Sequence, residues 1–285
     1  MPSRVRAALK ALDLRPTRGM GQNFLVDPHA LSNIVEAADI QPTDVVLEIG
    51  PGLGVLTWEL VARAGRVVAV ELDKRLAARL QQEFATQPHL RLVQGDVLDL
   101  PPEQVLADEA GALPPYKVVA NLPYAITSPV LRHLLEAAHK PSIIVVLVQW
   151  EVAQRIAAGA GVLSVLAHSV QIYAEPEIVA RVPASSFVPA PAVDSAVLRL
   201  HVRPQPAVMP EDVDGLLRII KAGFLHARKK LSNSLPGGLV AFGMPYDKAQ
   251  VIDALLAAGV SPERRAETVT LEEWAAVYQR LRGEN

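Results

Sequence analysis

The sequence predicts an α/β fold, in which a doubly wound and mostly parallel sheet precedes a small all-helical domain. Apolar, strand-like segments alternate with helix-like segments over most of the chain, and this alternation is typical of parallel sheets covered by helices on both faces. A proline-rich stretch at 203–212, RPQPAVMPED, resembles a linker, and only helical periodicity follows it. We therefore predict an α/β domain over 1–206, beginning with a basic extension over 1–22, and a helical domain over 207–285.

The first two strand–helix pairs of the predicted sheet lie between 44 and 84. DVVLEIG at 44–50 is a short apolar strand that ends in glycine, and GVLTWELVARAG at 54–65 is an amphipathic helix that also ends in glycine. RVVAVELD at 66–73 has the pattern of a second strand, and a helix is expected from Lys74 to Phe84.

Three further apolar segments continue the sheet, and an antiparallel pair is expected to end it. The three segments are LRLVQGD at 90–96, YKVVAN at 116–121 and SIIVVLVQ at 142–149, with helices expected over 128–138 and from 151. EIVARV and SAVLRLHVR alternate like neighbouring antiparallel strands. The helical domain contains three helix-like segments, at 211–226, 248–259 and 271–282.

Composition excludes several classes of protein. Half of the 285 residues are hydrophobic, which is enough for one large core and a smaller one. Cysteine is absent, so disulfides and thiolate chemistry are excluded. The longest apolar run, at 143–148, has the length of a strand, and the N-terminus lacks an apolar stretch of signal-peptide length. We therefore expect a cytoplasmic protein.

Positive charge is concentrated in two places, although the net charge of −2 gives no general attraction to nucleic acid. The segment before Gly19 contains the basic residues Arg4, Arg6, Lys10, Arg15 and Arg18, and its only acidic residue is Asp13. The second cluster is Arg228-Lys229-Lys230. Such patches bind phosphates, but on charge alone an ordinary solvated surface is the better interpretation.

Glycines and acids follow the first three strands in a pattern that favours a nucleotide site. Gly50, Gly52 and Gly54 lie between the first strand and its helix, where glycine lets the backbone approach a ligand closely. Glu71 ends the second strand and suits a ribose diol, and Asp96 ends the third and suits an adenine amino group. A glycine-rich turn alone is weak evidence, but two acids at the ends of adjacent strands strengthen it. The third glycine is misplaced for a dinucleotide, which favours S-adenosylmethionine.

The fourth strand ends in Asn121-Leu122-Pro123-Tyr124, beside the predicted donor. An adenine amine is a poor nucleophile because its lone pair is delocalised into the ring. The Asn121 amide oxygen and the Pro123 carbonyl could accept its two N–H groups and expose the lone pair, and proline restricts the backbone there. Tyr124 offers a face on which a base can stack. The alternative is an ordinary turn, since Asn and Pro are common in turns.

Several motifs give the sequence a close resemblance to the ribosomal RNA adenine N6,N6-dimethyltransferase family. The motifs are GQNFLVD at 21–27, EIGPGLGVLT at 48–57, VVAVELD at 67–73, GDVL at 95–98, NLPY at 121–124, VQWEVAQRI at 148–156, FVPAPAVDSAV at 187–197, FLHARKKLSNSL and RAETVTLEEW. The resemblance implies a Rossmann-like S-adenosylmethionine-dependent methyltransferase sheet with a C-terminal helical domain. It also implies dimethylation of two adjacent adenines near the 3′ end of 16S rRNA, with S-adenosyl-L-homocysteine released.

The same resemblance implies further site residues. Asn23 and Leu25 should border the methyl donor, in a site completed by Gly50, Gly52, Glu71, Asp96 and Asn121. Phe187 should stack on the target base opposite Tyr124, although without the family a core phenylalanine would be the better interpretation. The chain departs from the family at Trp150, where a basic residue is usual, and in a shortened loop near 157–163. Arg18 replaces a common lysine.

The target adenine must lie in a loop or be flipped out of its helix. Arg18, Arg228, Lys229 and Lys230 are the predicted phosphate contacts, the expected partner is the small ribosomal subunit or its precursor, and no metal site or dimer is expected. Three alternatives stay open: the same chemistry on large-subunit RNA, as in macrolide-resistance methylases; a binding protein that acts as an assembly or transcription factor; and a nicotinamide oxidoreductase.

Overall fold

The structure is a computed structural model that describes residues 23–108, 110–208, 213–244 and 246–283. The basic extension over 1–22, including Arg18, lies outside the described residues. The centre of the predicted linker, at 209–212, lies outside them as well. Among the described helices, none is both long enough and apolar enough to cross a membrane.

The strands are short and mostly rich in valine, leucine and isoleucine, as expected where a sheet is covered on both faces. In chain order they are β1 (Phe24–Leu25), β2 (Val45–Ile49), β3 (Arg66–Glu71), β4 (Leu90–Gln94), β5 (Tyr116–Asn121), β6 (Ile143–Gln149), β7 (Ala174–Val182), β8 (Phe187–Val188) and β9 (Ser195–Val202). Most side chains in the middle of β2, β3, β5 and β6 are completely buried. These strands form the centre of the hydrophobic core of the α/β part of the chain.

Seven of these strands form one sheet, in the order β4-β3-β2-β5-β6-β9-β7. The neighbours from β4 to β6 are parallel, and β9 runs antiparallel to β6. Because the chain order reverses at β2, between β3 and β5, the crevice outside the carboxyl ends of these strands is the expected ligand site. The predicted α/β fold is confirmed. β1 and β8 form a separate antiparallel pair that joins Leu25 to Phe187.

The helices follow the apolar periodicity of the sequence. They are α1 (Pro28–Ala38), α2 (Val55–Val61), α3 (Lys74–Glu83), α4 (Pro102–Leu106), α5 (Thr127–Glu136), α6 (Trp150–Ile156), α7 (Val165–Gln171), α8 (Val213–Phe224), α9 (Leu231–Ala241), α10 (Lys248–Ala257) and α11 (Leu271–Leu281). Single 3₁₀ turns occur at Val97–Asp99, Tyr124–Ile126, Ala184–Ser186 and Ala266–Thr268. The first strand–helix pairs match the predicted segments closely. The helix predicted from residue 151 begins at Trp150 and ends at Ile156.

The described chain divides into two compact units, and their boundary differs from the predicted one. One unit contains the described residues up to Ala153 and Glu175–Val202, and the other contains Gln154–Ala174 and the residues from Arg203 onward. The sequence prediction placed 154–174 in the α/β domain. Main-chain bonds explain the difference, because the Arg203 N–H donates to the Tyr173 carbonyl and Leu163 N–H donates to the Glu267 carbonyl. Ile172 is also buried in the core of the helical unit.

The helical unit packs its helices around the fully buried ring of Trp274. Two glycines permit this close approach. A Cβ on Gly223 would lie 2.4 Å from the Trp274 ring, and one on Gly238 would lie 2.2 Å from the Ala222 carbonyl oxygen. These contacts bring α8 close against both α9 and α11.

Candidate active site

Most of the predicted site residues meet in one cavity at the carboxyl ends of β2, β3 and β5. Gly50 directly follows β2, whereas Glu71 and Asn121 are the last residues of β3 and β5. The predicted residues that line this cavity are Asn23, Leu25, Gly50, Gly52, Glu71, Asn121, Leu122, Pro123 and Tyr124. Asp96 and Phe187 do not line it.

The glycine-rich turn after β2 uses glycine for two different reasons. Gly50, Gly52 and Gly54 have φ values of 68°, 59° and 76°, a region that other residues seldom adopt. No atom of the described residues lies within 4 Å of the position that a Cβ of Gly50 would occupy, so these residues leave open space beside its backbone. A Cβ on Gly54 would instead lie 2.8 Å from Leu80 and 3.0 Å from Phe84. Gly50 therefore leaves room for a ligand, whereas Gly54 permits packing.

Glu71 holds the glycine-rich turn as well as facing the cavity. Its two carboxylate oxygens accept the Gly52 N–H and the Asp73 N–H, both at 2.9 Å. Burial raises the pKa of Glu71, and these two hydrogen bonds act in the opposite direction. Each carboxylate oxygen can accept more than one hydrogen bond, so capacity remains for the hydroxyls of a ribose. The link between Glu71 and Gly52 was not part of the sequence prediction.

Glu48 is a site residue that the sequence prediction missed. It lies within β2, lines the cavity and is only 1% exposed. Its Oε2 atom has no hydrogen-bond partner among the described residues. Burial raises the pKa of Glu48 to about 8, and the neighbouring Glu71 charge adds to this rise. A buried carboxyl oxygen that lacks a partner is costly, so it is suited to a cationic or hydrogen-bonding ligand. The signal was present in the sequence as an acid inside the apolar run VVLEIG.

The side-chain amide of Asn121 is oriented by a residue far away in the sequence. Its Nδ2 donates to the main-chain carbonyl of Asn23, at 3.1 Å. Because that partner can only accept, the amide nitrogen must face it, and the orientation of the amide is thereby defined. The amide oxygen is left as the group that can accept hydrogen bonds from a ligand. This is the arrangement that acceptance of an adenine N–H requires.

The segment that carries Asn23 is itself attached at several points. β1 pairs with β8, and the Val26 N–H donates to the Ser186 carbonyl. The Ser186 hydroxyl donates to Asp27 at 2.7 Å, and this hydrogen bond lowers the pKa of Asp27. The opposite oxygen of Asp27 caps α1 through the His29 N–H. These contacts hold the carbonyl that orients Asn121.

Pro123 and Tyr124 begin a single 3₁₀ turn at the edge of the cavity. The Pro123 carbonyl accepts the Ile126 N–H at 3.1 Å, so one of its two lone pairs remains for a substrate. The Tyr124 hydroxyl lies 2.7 Å from the Ser195 hydroxyl. Partial burial raises the pKa of Tyr124, and the bond to Ser195 opposes this rise.

Two of the predicted residues, Asp96 and Phe187, contact neighbouring parts of the described chain and do not line the cavity. One oxygen of Asp96 accepts the Leu98 N–H at 3.0 Å and caps the following 3₁₀ turn. Phe187 is only 3% exposed and packs in the apolar core together with Leu25, because β8 pairs with β1. Burying the large ring stabilises this pairing. The ring of Phe187 is thus not presented to the cavity, and the roles of Asp96 and Phe187 toward a ligand stay predictions.

The predicted RNA contacts lie outside the cavity. Arg228, Lys229 and Lys230 are exposed at the start of α9, and Lys230 is paired with Glu263. Arg18 lies outside the described residues. At Trp150, the guanidinium of Arg181 lies 4.8 Å from the ring centroid, so a positive charge is present where the family usually has a basic residue.

Comparison with known proteins places these features in one family. The model of the family described as "Ribosomal RNA adenine dimethylase" matches residues 15–282. A protein of Dehalococcoides mccartyi named "Ribosomal RNA small subunit methyltransferase A" is 43% identical, over 95% of this chain and 90% of its own. A protein of Moorella thermoacetica with the same name is 42% identical, over 98% of this chain and 97% of its own.

Solved structures agree with this result. The 23S rRNA methyltransferase ErmE is 30% identical, with a TM-score of 0.70 over 91% of this chain and 100% of its own. A dimethyladenosine transferase from Plasmodium falciparum is 24% identical, with a TM-score of 0.74 over 89% of this chain and 95% of its own. The second likeness supports the fold alone.

Proposed function

The chain belongs to the ribosomal RNA adenine dimethylase family, and from this premise we propose that it dimethylates the N6 amine of two adjacent adenines in a 3′-terminal loop of 16S rRNA, within the small ribosomal subunit or its precursor. S-adenosylmethionine is the proposed methyl donor. The relatives named for the small subunit are 42–43% identical to this chain, whereas ErmE, which is named for 23S rRNA, is 30% identical. This difference favours the small subunit as substrate.

The donor side of the cavity fits S-adenosylmethionine. Glu71 would accept the ribose hydroxyls, and the open space beside Gly50 would admit the methionine part close to the main chain. Glu48 would bind the ammonium group of that part, which supplies the partner that its buried Oε2 lacks. Asp96, beyond the cavity, would contact the adenine ring. When bound, the donor supplies an electrophilic methyl group on a sulfonium, so the chain needs no strong general base.

The single observation that carries the proposed reaction is the orientation of the Asn121 amide. Since Nδ2 is bonded to the Asn23 carbonyl, Oδ1 accepts one N–H of the adenine amine, and the free lone pair of the Pro123 carbonyl accepts the other. Acceptance of both hydrogens draws the nitrogen toward sp³ geometry and exposes its lone pair. The residues therefore act by positioning and polarising the amine.

The base itself would be held by stacking on Tyr124, which is worth about 1–3 kcal/mol per base. An adenine within a helix cannot reach the cavity, so the target would lie in a loop or be extruded at a cost of a few kcal/mol. Arg228, Lys229 and Lys230 are the proposed phosphate contacts in the helical unit. The ion pair with Glu263 makes Lys230 the weakest of the three.

The test is methyl transfer to isolated 30S and 50S particles with an isotopically labelled donor, followed by mass spectrometry of the rRNA fragments. We expect dimethyladenosine at two adjacent positions of a 16S fragment and none in 50S particles. Label confined to 50S particles would support the large-subunit alternative. Absence of label from both, together with NADH in the purified protein, would support an oxidoreductase.

A further inference from the structure

The hydroxyl of Ser195 is buried beside the proposed base site, and its described partner is a residue of that site. Ser195 is completely buried, and its Oγ lies 2.7 Å from the Tyr124 hydroxyl. The next three residues of β9, Ala196 to Leu198, are apolar and fully buried. A serine at this position loses its hydration on folding, and the bond to Tyr124 compensates for that loss.

Ser195 is held rigidly by its surroundings. It pairs with Gln149 at the start of the antiparallel ladder between β6 and β9. The preceding residue, Asp194, accepts the Trp150 N–H with its carbonyl and the Ala184 N–H with its carboxylate. That carboxylate also forms an ion pair with Arg181. The position of the Ser195 hydroxyl, beside the end of β6, is therefore well defined.

Tyr124, in contrast, lies in a single 3₁₀ turn, which is a weak local structure. The turn contains only Tyr124–Ile126, and no side chain caps it. The ring is partly exposed to the cavity, so packing surrounds it incompletely. The hydroxyl oxygen lies on the long axis of the ring, so a hydrogen bond there fixes the direction of that axis and restricts the first side-chain torsion. The contact with Ser195 thus limits where the ring lies at the edge of the cavity.

We propose that Ser195 is a positioning residue for the target base, acting through the hydrogen bond that fixes the position of the Tyr124 ring. This inference rests on the proposed function of the site, in which Tyr124 stacks on the adenine. Ser195 itself does not touch the substrate. Replacing Ser195 should change the alignment of the bound base and should leave donor binding unchanged.

The test is a double-mutant cycle with Ser195→Ala and Tyr124→Phe, in which kcat and KM are measured for RNA and for the donor. Each single variant is expected to lose about two- to tenfold in kcat/KM for RNA, the worth of an ordinary neutral hydrogen bond. The double variant should lose no more than either single variant, because both remove the same bond. The donor KM should not change, and Ser169→Ala, which removes a hydroxyl from α7, serves as the control.

A fluorescence measurement separates positioning from a loss of fold. RNA with 2-aminopurine at the target position should be more strongly quenched when bound to the wild-type protein than when bound to Ser195→Ala. Losses that multiply in the double variant, or wild-type kcat/KM and quenching in Ser195→Ala, would overturn the proposal. If Ser195→Ala does not fold, wild-type values in Tyr124→Phe would overturn it equally. Failure of the proposed function is distinguishable, because the wild-type protein would then transfer no methyl group to adenine.

Discussion

The two sides of the cavity are held by contacts of different range. On the donor side, Gly52 and Glu71 are 19 positions apart and belong to consecutive strand–turn units. On the base side, Asn121 is oriented by Asn23, which is 98 positions away, and Tyr124 by Ser195, which is 71 positions away. The donor side is thus determined by local turns, and the base side by segments that meet only in the folded chain.

This difference predicts different responses to mutation. A change on the donor side acts through backbone conformation or through a buried charge, so it affects stability as well as donor binding. A change on the base side removes one hydrogen bond of the reaction geometry while the main chain stays in place, so it affects turnover more than binding. Measuring stability and donor binding for donor-side variants, and turnover and donor binding for base-side variants, can therefore contradict the distinction.

The largest effect is expected for Asn121→Ala, on the base side. Removing the amide oxygen removes an acceptor that polarises the amine, and loss of one such group costs about 10²–10³-fold in kcat or more. Donor affinity, measured by calorimetry, should remain within a few-fold of wild type. Asn233→Ala, an exposed asparagine on α9, is the matched control. Turnover near the wild-type rate in Asn121→Ala would remove the amide from the mechanism.

A large effect on stability is expected for Glu48→Gln, on the donor side. The folded-state pKa of Glu48 is raised from 4.5 to about 8, so its favourable contribution to folding is complete below pH 4.5. That contribution is lost progressively as pH rises to about 8. Glutamine does not titrate, so the variant without donor should become more stable than wild type across this window, by a few kcal/mol.

The same substitution should act on donor binding with the opposite sign. If Glu48 binds the donor ammonium, Glu48→Gln should weaken donor affinity at pH 8 while the unfolding temperature rises. Measuring both at pH 5 and pH 8 separates the two effects. A stability difference that is the same at both pH values would show that the pKa of Glu48 in the folded protein is not raised above its ordinary value.

The sequence indicates candidate groups on both sides of the cavity, but it does not indicate the long-range contacts that hold them. The succession of strands and helices along the chain, the glycine-rich turn and the acid that ends β3 follow from local periodicity and from turn chemistry, which a single sequence records. The bonds from Asn121 to Asn23 and from Tyr124 to Ser195 depend on tertiary pairing, which it does not record. The grouping of 154–174 with the helical unit depends on tertiary contacts in the same way, whereas the residues alone already favoured a core position for Phe187. Glu48 was missed because its apolar neighbours concealed a local signal.

A moderate effect is expected when alanine replaces the two glycines of the donor turn. Gly54→Ala should destabilise the protein by about 1–3 kcal/mol, because its Cβ would overlap Leu80 and its φ of 76° is unfavourable for alanine. Gly50→Ala has space for its Cβ, so stability should fall by only about 1 kcal/mol, whereas donor binding should weaken further. Urea unfolding and donor titration measure the two effects. Equal losses of stability in the two variants would contradict their different roles.

Gly237→Ala provides a control of opposite sign for both glycine variants. This glycine lies inside α9 and has no positive φ, and no atom in the described part of the chain lies within 4 Å of the position that its Cβ would occupy. Alanine is favoured over glycine in a helix by about 1 kcal/mol, so this variant should be slightly more stable than wild type and bind the donor normally. A destabilised Gly237→Ala would show that the glycine comparison measures something other than backbone conformation.

The smallest effect is expected for Ser186→Ala, which loosens the segment that orients Asn121. The variant loses the hydrogen bond to Asp27, which is worth about 1 kcal/mol, and the pKa of Asp27 should rise toward 3.8. The stability that Asp27 contributes is present above pH 3.8 and disappears below it, so the stabilities of wild type and variant should converge in acid.

Since β1 still pairs with β8, the kcat of Ser186→Ala should fall only about two- to threefold, the equivalent of part of one hydrogen bond. Ser32→Ala, which removes an exposed hydroxyl from α1, the helix that Asp27 caps, should change neither kcat nor stability measurably. If Ser186→Ala lost donor affinity as strongly as turnover, the base side would depend on the same contacts as the donor side, and the distinction between short-range and long-range support would fail.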